Sequence, residues 1–249
     1  MMYLTEVKAR EVMINQYYYK LQAYLGVFTS LVFVQILAIV FSFSGTSSMG
    51  GGSDTFSYDV RTYSGTLLAV FTLIWALSNG ISLTTKQHRY DDFNFVTNRS
   101  VSNYANALFL VTASAIAAIT GLLATYAMKL IVSQFLRTPS IAVDQVSSIN
   151  TLKGLVGFFL YILLFASVGY FIGMLVQTNK LVAFLLPAII LLIMIVQVYV
   201  GGGSPFLNDI WRFYILEASF VLFVIKSLVT SVLLFLGAFA LANRLEVAV

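Results

Sequence analysis

Read for its alternation of apolar and polar positions, the chain separates into long hydrophobic blocks divided by polar connections. The blocks fall at about residues 21–43, 62–83, 105–135, 154–176, 181–200 and 224–243. Each is continuous and ~20 residues or longer, the length one helix needs to cross a hydrocarbon core of ~30 Å. The short alternating segments of a transmembrane barrel do not occur. The pattern therefore predicts an all-α membrane protein, with six transmembrane helices forming a single domain over residues 1–249.

The connections refine this outline. Residues 1–20 place Leu4, Val7, Ile14 and Tyr18 on one helical face, interrupted by Glu11, which predicts a helix lying in the membrane interface. Tyr17, Tyr18 and Tyr19 beside Lys20 suit the headgroup layer, where rings and snorkelling cations are both stable. The leader is long and contains acids, so the first block reads as an uncleaved span and not as a signal peptide. The Gly/Ser-rich run Gly45–Arg61 reads as a flexible external loop, and Arg137–Lys153, broken by Pro139, as a second.

Block 105–135 exceeds one crossing, so it tilts or projects beyond the membrane and carries Lys129 with it. Ala113, Ala117, Gly121 and Ala124 permit close approach of another helix. Ala166, Gly169 and Gly173 do the same, either within the chain, the ordinary outcome, or at a dimer contact. Gln177–Lys180 makes a tight hairpin, and Pro187 a kink. From Ile215 to Ala242 the sequence is apolar for longer than one span. One helix there would bury Lys226 in hydrocarbon at a cost of about 2.5–3.5 kcal/mol. Starting the last span near Val224 leaves Lys226 at the boundary and makes 205–223 a re-entrant segment, which needs protein or a cavity over its backbone.

Composition strengthens the membrane reading. The chain is 59% hydrophobic and 10% charged, against about 25% charged in soluble domains. The net charge of +4 fits cytoplasmic anchoring, and no basic stripe with interleaved aromatics points to nucleic acid. With the N-terminus inside, Lys8, Arg10, Lys20, Lys86, Arg89, Arg99, Lys180 and Arg244 fall in the cytoplasm. Arg61, Arg137, Lys153 and Arg212 then fall outside, which implies a multi-pass plasma-membrane protein with both termini cytoplasmic.

The sequence contains no cysteine, and its one histidine, His88, reads as a solvated loop residue. It has no P-loop; the Gly-rich run at 201 lacks the lysine. The predicted spans contain no Asp dyad and no serine–base pair, so no catalytic, cofactor or metal site is expected in this chain. Gln35, Asn79 and Gln197 read as interhelical hydrogen-bonding groups. Without intramembrane acids to couple an ion gradient, uphill transport would draw its energy from another chain.

One internal polar segment stands apart: Lys86–Tyr104, KQHRYDDFNFVTNRSVSNY. Asp91 or Asp92 can cap a short helix on which Phe93 and Val96 share a face, with Phe95 nearby. Two placements suit these aromatics: anchors for a partner's pocket, or rings resting on the membrane interface.

Six spans with both ends inside, an interfacial N-terminal helix, a polar loop between spans 2 and 3 and a re-entrant segment before span 6 together resemble the permease subunit of type-2 ABC exporters. Asp92–Ser102 is similar to that family's coupling-helix segment, although the proline common there is absent. The resemblance implies a coupling loop over 85–104, with Tyr90, Asp91, Asp92, Phe93, Phe95, Val96 and Arg99 as the residues that dock a separate P-loop ATPase. It further implies ATP and Mg on that partner, a second permease subunit, surrounding membrane lipid, and an amphipathic peptide or lipid-linked cargo. A different class remains beside it: a non-pumping immunity or scaffold protein that sequesters a toxic peptide.

Overall fold

The computed structural model describes residues 9–43, 47–53, 56–62, 64–85, 87–88, 99–135, 148–200, 209, 213–214 and 219–244. The helices are α1 (Ala9–Ala23), α2 (Leu25–Ser42), α3 (Thr66–Leu83), α4 (Arg99–Phe135), α5 (Ser148–Thr178), α6 (Val182–Val200) and α7 (Phe220–Arg244). Five of them, α2, α3, α4, α5 and α7, are long and apolar enough to cross a membrane. Their outward faces carry large apolar side chains such as Phe33 (63% exposed), Leu123 (61%) and Leu233 (60%). Water would penalise that much exposed apolar surface, whereas lipid does not. The chain is a helical, multi-pass membrane protein.

The run expected to be a flexible loop instead contains an antiparallel hairpin, β1 (Ser47–Ser53) with β2 (Phe56–Thr62), in register from Ser47 opposite Thr62 to Ser53 opposite Phe56. The Gly/Ser content hid the strand pattern. Phe56, Tyr58, Val60 and Thr62 alternate with polar residues at period two, and their backbone groups pair even with a glycine-rich partner. The hairpin joins α2 to α3 and marks one end of the bundle. The connection from α3 to α4 marks the other, the loop end.

α5 is the central helix, packing on α3, α4 and α7. Its closest neighbour is α3, because glycines let the two backbones touch. A Cβ on Gly80 would run into the Ala166 carbonyl and lie 2.8 Å from the Tyr170 amide nitrogen; one on Gly169 would strike Leu77. Gly173 receives the Thr84 side chain. The small-residue stripe therefore works within the chain, where close backbone approach replaces the hydrophobic driving force that lipid removes.

α4 runs antiparallel to both, with Ala113 and Ala117 buried and Gly121 against the Phe158 ring. At 37 residues it is ~55 Å long, well beyond the hydrocarbon thickness. Gln35 donates from α2 to the Thr120 hydroxyl at 3.0 Å, and the Trp75 indole donates to Ser30 at 3.0 Å. Asn79 instead turns back to the Trp75 carbonyl within α3, and the side chain of Gln197 lies outside the described residues. α6 behaves differently from the others: it barely touches α5, and Phe184 is 80% exposed.

Candidate functional site at the loop end

Tyr90, Asp91, Asp92, Phe93, Phe95 and Val96 lie outside the described residues, and Arg99 is described only as the first residue of α4. What the structure resolves is how this connection is rooted in the bundle. α4 begins at Arg99, so the last part of the stretch read as loop is already helix. Within its first two turns it brings Asn103 and Asn106 to the same buried face, three residues apart as helical spacing requires.

α1 meets them with an unexpected face. Gln16 and Lys20, one helical turn apart, are 0% and 1% exposed. Lys20 thus does not snorkel to the headgroups; its ammonium donates to Asn106 Oδ1. Asn106 Nδ2 donates to the Tyr170 hydroxyl at 3.3 Å, and that hydroxyl donates to Asn103 Oδ1 at 2.9 Å. A polar chain therefore crosses from α1 through α4 to α5. The opposite face of α1 keeps Tyr18 (59% exposed) outward, as an interfacial aromatic requires. Lys20 turns inward because α1 packs along α4, where the Asn106 amide oxygen accepts from an ammonium that the apolar interior could not solvate.

The other root of the loop is His88. It is half-buried and not a solvated loop residue: its ring meets Tyr24 edge-on at 4.6 Å, and Nε2 stands 3.4 Å from the Ser82 hydroxyl. Tyr24 forms the elbow between α1 and α2 and itself meets Phe109 of α4 edge-on at 5.9 Å. One root of the loop, His88, therefore rests on the α1–α2 elbow, and the other, the start of α4, grips the end of α1 through Lys20. Sequence reasoning missed Lys20, Asn103, Asn106 and Tyr170, although two polar pairs at helical spacing beside long apolar runs were visible.

A second polar contact lies deeper. The Tyr161 hydroxyl donates to the Tyr214 carbonyl at 2.7 Å, ahead of α7. Lys226 lies in the second turn of α7, one turn further in than a start at Val224 would leave it. Its ammonium sits 4.1 Å from the centroid of the Phe213 ring, a cation–π contact that offsets part of its desolvation. Among the described residues no three His, Cys, Asp or Glu side chains gather as a metal site would require. No protein-family model, curated protein or solved structure matches the chain.

Proposed function

We propose that the chain is the membrane-spanning permease subunit of an ATP-driven ABC exporter, working with a separate P-loop ATPase and a second permease subunit in the plasma membrane. The observation that carries the reading is the double rooting of the loop between α3 and α4. His88 on the Tyr24 elbow and the Lys20–Asn106–Tyr170–Asn103 chain join the loop to α1, α2, α4 and α5. A pull on such a loop moves packed helices instead of dissipating in flexible backbone, as coupling to an external motor requires.

In this reading α6, a 19-residue helix without a charged residue, is the sixth span, and both termini are cytoplasmic. Residues 205–223 are re-entrant, with the Tyr161–Tyr214 hydrogen bond supplying the partner that backbone at membrane depth needs. Tyr90, Asp91, Asp92, Phe93, Phe95, Val96 and Arg99 form the docking segment, and ATP and Mg bind on the partner. The cargo is an amphipathic peptide or lipid-linked molecule.

Purification from native membranes tests the assignment. A P-loop ATPase is expected to co-purify, and replacing Phe93 and Phe95 together by Ala is expected to uncouple its activity. Recovery of no ATPase, with protection against a toxic peptide persisting without one, would establish a non-pumping binding protein instead.

A further inference from the structure

The hairpin end of the bundle holds a cleft of about 300 Å³ between the start of α3, the second half of α4 and the first turns of α5. It exists because the helices diverge there. Gly65 still meets Thr125, but a Cβ on Gly154 would have nothing within 4 Å. The deep wall is apolar, formed by Leu68, Leu122 and Phe158, while Tyr126, Lys129 and Thr151 line the rim. The Tyr126 and Thr151 hydroxyls stand 3.5 Å apart, and Lys129 is exposed beside them on the rim.

Depth adds an independent constraint. Lys129 lies ~35 Å along α4 from Asn106, slightly more than the hydrocarbon thickness, so it stands at headgroup level when Asn106 is at the opposite boundary. The Gly121–Phe158 wall lies ~12 Å deeper, among acyl chains. We infer that this cleft binds an anionic amphiphile, a phospholipid-like molecule whose phosphate sits on Lys129 with the two hydroxyls and whose chain enters against Leu68 and Phe158. One positive charge at the headgroup plane and an apolar cleft wall beneath it match that ligand's two halves. The inference is independent of the exporter reading, since it requires only that the chain spans a membrane.

Native mass spectrometry of the full chain, released from detergent and titrated with phosphatidylglycerol or phosphatidylcholine, tests it. The first phosphatidylglycerol is expected to bind ~fivefold more tightly than phosphatidylcholine, the preference one cation at a membrane surface provides. Lys129→Gln should erase that preference. Gly154→Leu should weaken both lipids by filling the cleft, and its Cβ has nothing within 4 Å. Equal binding of the two lipids, a preference that survives Lys129→Gln, or binding of both lipids unchanged by Gly154→Leu would overturn the proposal. So would full displacement by millimolar inorganic phosphate, which would mean a free-anion site.

Discussion

At the loop end Lys20 is buried against Asn106, and the α3 and α5 backbones touch through Gly80 and Gly169. At the hairpin end Lys129 stands exposed at the rim of a cleft, and Gly154 has open space beside it. α3, α4 and α5 take part in both ends, α1 adds Lys20 to the first, and both use glycine and lysine. The difference lies in what faces each glycine. Where backbone faces it, the missing side chain brings helices together; where nothing does, it leaves room. A lysine follows the same logic, held by the Asn106 amide oxygen in the closed end and left to solvent or headgroups in the open one.

Substitutions can break this contrast. The largest loss is expected for Gly169→Val, because the new carbons meet Leu77 backbone, which cannot yield without separating α3 from α5. A cost of about 3 kcal/mol is expected, read as a lower unfolding midpoint in mild detergent. Next comes Asn106→Leu, which strips an acceptor from a buried ammonium. It should destabilise by about 2–3 kcal/mol, more than Lys20→Met, which leaves only neutral amides short of a partner. The double variant should recover part of the loss, and a double-mutant cycle measures that coupling. If Lys20→Met proves the costlier change, the ammonium is not held as described.

Tyr170→Phe removes the hydroxyl between Asn106 and Asn103 and should cost about 1 kcal/mol in the same measurement. At the open end the effect on stability should be smallest. Lys129→Gln is expected to stay within about 0.5 kcal/mol of the parent. Gly154→Leu should be neutral or stabilising by up to about 1 kcal/mol through helix propensity alone. A large loss from Gly154→Leu would mean that the cleft closes in the folded protein and would erase the contrast between the ends.

Hydropathy and length sufficed to determine the helical membrane class, because solvation by lipid is decided block by block. The Ala166–Gly169–Gly173 stripe was equally legible as a packing surface, since small residues at helical spacing have a local signature. Which helix meets that stripe was not, nor that Lys20 turns inward while Tyr18, two residues away, turns outward. The side chain's position depends on where α4 lies, and only long-range packing sets that. The β1–β2 pairing was hidden for a related reason: a strand's partner is non-local, and glycine-rich sequence gives little sign of it. Sequence alone therefore determined that long segments of the chain leave water. Tertiary structure decided which polar groups accompany them, because a buried lysine is tolerated only where another helix brings it an acceptor, as α4 brings Asn106 to Lys20.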